Sequence, residues 1–244
     1  MKTLVLIPSR LSASRLPGKP LLKIRGISII SHVYKKAKEA DIGDVLVAAE
    51  DQEIIDDVKK NGGEAILTSN SHKTGTDRIY EAFLKLGRRD IELVMNLQGD
   101  EPLMNTKDIQ NLNSNMINTR HDLGTLAAKI DDKKVFENQD VVKVITEENL
   151  DVAKFPKALN FMRKLDEETN QAYHHLGIYC YNVEVLKKFI SLKQSQNEIK
   201  NRLEQLRALD NNININVALA KSSPIGVDTE EDFMAIKKIM EYKS

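Results

Sequence analysis

Three cations lie close together near the N-terminus, Arg10, Arg15 and Lys19, in the run Pro8-Ser9-Arg10-Leu11-Ser12-Ala13-Ser14-Arg15-Leu16-Pro17-Gly18-Lys19-Pro20. One arginine in such a loop would be an ordinary solvated turn. Three cations among serines, with Gly18 between prolines, have the chemistry of a phosphate cradle. Cations meet the charge, and backbone N–H groups freed by the irregular conformation complete the site. Far downstream, Gln98-Gly99-Asp100-Glu101-Pro102 presents the Asp100 carboxylate on a tight turn, and Gly226-Val227-Asp228-Thr229 supplies Asp228 as a second. One or two carboxylates completed by substrate phosphate oxygens suit an octahedral Mg²⁺.

Two further polar stretches stand out. Ser71-His72-Lys73-Thr74-Gly75-Thr76-Asp77-Arg78 follows a predicted strand, and His174-His175 enters another. Adjacent strand residues face opposite sides, so the two histidines cannot chelate one metal. One is expected to meet a substrate; His174 is expected at the surface. Cys180 reads as core. Neither G-x-x-x-x-G-K-[ST] nor G-x-G-x-x-G occurs, so a P-loop or dinucleotide Rossmann enzyme is not expected. No nucleophile motif points to covalent catalysis.

These residues must be positioned by alternating elements. An apolar run at Leu4-Val5-Leu6-Ile7 predicts a buried strand, followed by a helix over 27–40, a strand over 44–49 and a helix over 52–60. A strand over 65–67, a helix over 76–86 and a strand over 92–97 continue the pattern. Strand–helix alternation predicts a mostly parallel α/β sheet with helices on both faces, whose ligands collect beyond the carboxyl ends of the strands. Helix 106–118 and strand 125–130 follow. Short strands at 141–146, 152–155, 158–162 and 176–181 then predict a small antiparallel lobe, at about 131–182 of a single domain over 1–244. Helices are expected over 183–192 and 198–209, the latter with Leu203, Leu206 and Leu209 buried and Glu204 and Gln205 on a solvated flank. A strand over 212–216 and a helix from 230, capped by Thr229, end the chain.

The 244 residues carry 36 basic and 36 acidic side chains. A balanced charge argues against a nucleic-acid binder held by phosphate contacts. A single cysteine and the lack of a long apolar run predict a cytoplasmic protein without a membrane partner.

In order along nearly the whole chain, the motifs resemble the 3-deoxy-manno-octulosonate (Kdo) cytidylyltransferase family. The matching runs are Ile7-Pro8-Ser9-Arg10, Ser14-Arg15-Leu16-Pro17-Gly18-Lys19-Pro20, Thr74-Gly75-Thr76-Asp77-Arg78, Asn96-Leu97-Gln98-Gly99-Asp100-Glu101-Pro102, His175-Leu176-Gly177-Ile178-Tyr179, Leu203-Glu204-Gln205-Leu206-Arg207 and Gly226-Val227-Asp228-Thr229. The resemblance implies a nucleotidyltransferase that joins CTP and Kdo into CMP-Kdo, releasing pyrophosphate, for lipopolysaccharide synthesis. It implies that Pro8, Arg10, Ser14, Arg15, Lys19, Thr74, Gly75 and Arg78 bind the nucleotide. Asp100 and Asp228 would bind Mg²⁺, and Gln98, His175, Glu204 and Gln205 would contact the sugar acid. Arg10, Arg15, Lys19, Asp100 and Asp228 would carry the chemistry, in a homodimer. Against the family pattern, Asn182 stands where arginine is common, and the segment around Arg163 keeps only that arginine. The alternatives are a cytidylyltransferase for 8-amino-Kdo or a sialic-acid-like sugar, and a catalytically silent nucleotide-sugar binder.

Overall fold

Leu4, Val5, Leu6 and Ile7 are wholly buried in the first strand, β1 (Thr3–Ser9), as an apolar run covered on both faces requires. The computed structural model describes residues 1–12, 15–165 and 171–242. After β1 come β2 (Lys23–Ile24), β3 (Ile27–Ser28), α1 (Ile29–Glu39), β4 (Gly43–Ala49), α2 (Gln52–Lys60), β5 (Ala65–Leu67), α3 (Gly75–Leu86) and β6 (Leu93–Asn96). The chain continues with α4 (Thr106–Thr119), β7 (Leu123–Ala128), α5 (Lys133–Glu137), β8 (Lys143–Thr146), β9 (Ala158–Met162) and β10 (Ala172–Asn182). It ends with α6 (Val183–Ser191), α7 (Gln196–Asn201), α8 (Leu206–Asp210), β11 (Ile215–Leu219) and α9 (Glu230–Tyr242). These elements form two compact units, one of residues 2–91, 95–106 and 224–244, the other of residue 1, 92–94 and 107–223.

In the first unit β1, β4 and β5 run parallel, while β2 and β3 form a separate antiparallel pair. β1 pairs with β4 from Thr3↔Gly43 to Ser9↔Ala49, and β4 pairs with β5 from Val47↔Ala65 to Ala49↔Leu67. The Leu97 amide donates to Leu6 O at 3.1 Å, holding the end of β6 beside β1. Two of the helices between them, α1 and α3, start on side-chain caps. Ser28 accepts from the Ser31 amide at the head of α1, and Thr74 accepts from the Asp77 amide at the head of α3. Gly87, with φ +60°, ends α3 in the left-handed conformation that glycine adopts without a Cβ clash.

In the second unit β7 runs parallel to β11 but antiparallel to β10, and β8 pairs antiparallel with both β10 and β9. Gly124 is required in β7: a Cβ there would lie 2.7 Å from Met116 Sδ and 2.8 Å from Phe155 Cζ. The short strands expected within 131–182 belong to this unit, with one exception. Residues 152–155 form turns rather than a strand, because Asn149 folds the chain: its carbonyl accepts from Val152 N and Ala153 N, and its Oδ1 accepts from Asp151 N. Val152 is left exposed.

Two other expectations are corrected. The helix over 198–209 is two short helices, broken at Arg202 in the left-handed region (φ +53°). The break turns the 203–205 segment inward, so that Gln205 is buried and Glu204 half-buried rather than both lying on a solvated flank. The last strand starts later than expected. Asn212, at φ +56°, terminates α8, and Ile213 N donates back to Ala208 O at 2.9 Å, so Ile213 is buried by a helix cap instead of by a strand. Asn182, where arginine is common in the family, caps α6 by accepting from the Glu184 amide.

Candidate active site

The site in the first unit forms where β1, β4 and β6 end. Beyond β1 the basic loop returns on itself, with the Gly18 amide donating to Leu11 O at 3.0 Å. Gly18 has φ +72°, which places Lys19 at the start of a short 3-10 turn closed by buried Pro20. Beyond β6, Gly99 lets Asp100 come close: a Cβ on it would lie 2.9 Å from the Pro8 carbonyl oxygen. From the C-terminal segment, Val227 is wholly buried with Ile24, Ile29 and Ile236, and its amide donates to Asp100 O at 2.8 Å. Burying Val227 places its neighbour Asp228 beside Asp100. Thr229 then starts α9 reciprocally, accepting from the Asp232 amide while the Asp232 carboxylate accepts from Thr229 N.

Lys19 is the hub. Its Nζ donates to Asp100 Oδ2 at 2.5 Å, to Val227 O at 2.9 Å and to Asp228 Oδ1 at 3.2 Å. Arg15 Nη2 donates to Asp228 Oδ2 at 2.9 Å. Burial alone would lower the Lys19 pKa, but the two carboxylates outweigh it and hold the ammonium charged. Glu101 differs from its neighbours. Its Oε2 is enclosed without a hydrogen-bond partner among the described residues. Its pKa is pushed up to about 8, first by burial and then by the charges of Asp100 and Asp228, with Lys19 opposing.

The cleft has a volume of about 320 Å³. Pro8, Arg10, Arg15, Lys19, Thr74, Gly75, Arg78, Gln98, Asp100 and Asp228, all expected from the sequence, line it together. Ser14 lies outside the described residues. Arg78 contributes less guanidinium surface than expected. It is 2% exposed, donates to Thr68 Oγ1 at 2.8 Å and Ser69 O at 3.2 Å, and pairs with Glu50.

The sequence singled out the stretch that holds His72 without giving that residue a role, and it gave none to Glu50, Asp51 or Glu81. His72 lines the cleft and is held by Glu81, which also accepts from the Ser69 amide and from Lys85. Burial works against ionising Glu81, but those donors together lower its pKa to about 2. Glu50 and Asp51, just past β4, hold Arg78 and the Leu11 amide respectively. Their only sequence signal is acidity at a strand's carboxyl end.

Could the carboxylates hold a divalent cation? Asp100 and Asp228 converge on one ammonium, so both can address one positive centre. No cluster of three or more His, Cys, Asp or Glu side chains suited to a metal occurs among the described residues. A magnesium ion bound here would therefore draw the rest of its shell from water and phosphate oxygens, which is its habit. The donor set fits.

His175, Glu204 and Gln205 belong to the second unit. His175 is buried between Phe161, edge-on at 4.9 Å, and Tyr179 at 5.5 Å. Thr125 Oγ1 donates to Ile178 O at 2.7 Å, so it accepts from His175 Nε2 at 3.0 Å, which makes Nδ1 the ring's acceptor. Burial, then the neighbouring His174, lowers the His175 pKa to about 3 and keeps the ring neutral. Glu204 lies 3.6 Å from Arg207, which a buried Glu198 grips through two hydrogen bonds of 2.8 and 2.5 Å. His174 is half-buried rather than on the surface, its Nδ1 sharing a 2.6 Å hydrogen bond with Ser223 Oγ.

A parallel α/β unit with a basic loop and paired carboxylates beyond its strand ends is the construction of a nucleotide-handling transferase. Residues 4–215 match the cytidylyltransferase family. Curated relatives called 3-deoxy-manno-octulosonate cytidylyltransferase include that of Thermodesulfovibrio yellowstonii, 41% identical over 98% of this chain and 98% of that protein. The relative of that name from Afipia carboxidovorans is 41% identical over 98% and 96%. A solved CMP:2-keto-3-deoxy-manno-octonic acid synthetase complexed with CTP superposes with a TM-score of 0.90 at 33% identity, covering all of both chains. The chain belongs to the 3-deoxy-manno-octulosonate cytidylyltransferase family.

Proposed function

We propose that this protein transfers the cytidylyl group of CTP to the anomeric hydroxyl of Kdo, giving CMP-Kdo and pyrophosphate for lipopolysaccharide synthesis. The observation that carries the reading is the gathering of Lys19, Arg15, Asp100 and Asp228 in one cleft, in a chain whose relatives bear that activity's name. The hydroxyl oxygen bonds to the α-phosphorus and gives up its proton to solvent as the bond to the pyrophosphate oxygen breaks. Arg10, Arg15 and Lys19 hold the triphosphate and neutralise the charge that grows on the leaving pyrophosphate. To do so Lys19 exchanges its carboxylate partners for phosphate oxygens, and Asp100 and Asp228 would then be the residues to hold Mg²⁺. The cation, when bound, lowers the pKa of the attacking hydroxyl and offsets phosphate charge.

The nucleoside lies towards Pro8, Thr74, Gly75 and Arg78. The family resemblance assigns contacts to the sugar acid to Gln98 in the first unit and, in the second, to Glu204, Gln205 and His175, whose neutral ring suits a hydrogen-bonding partner instead of a proton carrier at working pH. The protein acts as a homodimer in the cytoplasm, as the family resemblance implies. Among the described residues, no helix is long and apolar enough to cross a membrane.

The test is pyrophosphate release from CTP and Mg²⁺ with a panel of sugar acids. Release with Kdo is expected. Release with a sialic acid or 8-amino-Kdo but not Kdo would overturn the substrate assignment, and no release with any of them would favour a silent binder.

A further inference from the structure

The parallel register of β1 and β4 pairs Ser9 with Ala49, so Arg10 and Leu11 leave the sheet beside Glu50 and Asp51. Asp51 occupies the N-cap position of α2 with extended backbone (φ −103°, ψ 126°), where aspartate ordinarily accepts from the first-turn amides of its own helix. It makes no such bond. Its Oδ2 accepts instead from the Leu11 amide at 2.8 Å. The Leu11 carbonyl in turn accepts from Gly18 N at 3.0 Å, so the neck of the basic loop is tied at this one residue.

We propose that Asp51 is a positioning residue for the phosphate-binding loop. By holding the Leu11 amide it places Arg10, one residue earlier, and through the Leu11–Gly18 bond it places Lys19, one residue after Gly18. The triphosphate then meets cations already in position, and the loop is spared ordering on binding. The proposal rests on the cytidylyltransferase reading of the cleft. Asp51 itself is absent from the cleft lining, so it acts through the loop rather than on substrate.

Three variants separate this role from helix capping. Serine caps a helix about as well as aspartate but is a carbon shorter towards Leu11; asparagine keeps a carbonyl oxygen at the same reach; alanine does neither. In Asp51→Ser and Asp51→Ala, the Leu11 amide should exchange with deuterium faster. Their KM for CTP should rise about tenfold while kcat stays within about twofold, as loss of one charge-assisted bond to a binding loop predicts. Asp51→Asn should stay near wild type, and Asp51→Ser should keep the wild-type melting temperature. A wild-type KM in Asp51→Ser, or in Asp51→Ala with its Leu11 amide freed, overturns the proposal. If the wild-type protein leaves CTP unconsumed, the reading of the cleft falls instead. The loop assignment is then decided by calorimetric affinity for inorganic tripolyphosphate: about tenfold weaker binding in Asp51→Ser upholds it, and unchanged binding overturns it.

Discussion

Lys19 neutralises Asp100 and Asp228 through direct hydrogen bonds, so the carboxylates that suit a cation are held together before one arrives. Without it, the two carboxylates would repel one another in a partly buried cleft. Asp100→Asn keeps the shape and removes a charge. Turnover should fall by about a hundredfold or more while the melting temperature holds, because electrostatic stabilisation of the phosphate charge is lost. Steady-state pyrophosphate release at saturating CTP measures it, and near-normal turnover in a folded variant would remove Asp100 from the metal site. The types and spacing of Arg10, Arg15, Lys19, Asp100 and Asp228 were legible in the sequence because phosphate and magnesium chemistry restricts which side chains can serve. The commitment of Arg78 to Glu50 was not legible, since an ion pair between residues on different elements leaves no local pattern.

At the scale of elements, the expected strands and helices of the first unit have bounds within a residue or two of those observed, while the short β2–β3 pair was not expected. Wholly buried strands and capped helices carry their own punctuation. The second unit followed its sequence pattern less well. Residues 198–209 satisfy a helical leucine spacing, yet Arg202 adopts a left-handed turn, stabilised where buried Arg207 binds Glu198 and stacks on Phe189 at 4.7 Å. His175 gives this unit a testable acid response. The unfolded imidazole titrates near 6.5 and the folded one near 3, so below pH 6.5 the unfolded chain binds the extra proton. Its contribution to stability is complete above pH 6.5 and is lost as pH falls toward 3, by up to about 1.4 kcal/mol per unit. Urea unfolding between pH 7 and pH 4 should therefore be less pH-dependent in His175→Gln than in wild type. Equal slopes would show that the ring takes up its proton while folded.

For the molecule as a whole, the homology extends over both units, since each relative is matched along nearly its full length. The homodimer proposed above belongs to this scale. Sedimentation equilibrium at assay concentrations should give twice the monomer mass, with or without CTP. A monomer that retains full activity would separate assembly from catalysis.

What the sequence determined by itself is the chemistry and the alternating architecture that presents it: side-chain type is an intrinsic property, and apolar periodicity is local. Only the tertiary structure decided which groups meet. The register of β1 on β4 brings Asp51 to Leu11, and the burial of Val227 brings Asp228 to Asp100 and Lys19. Both depend on packing between segments far apart in the chain, and no local spacing encodes that distance.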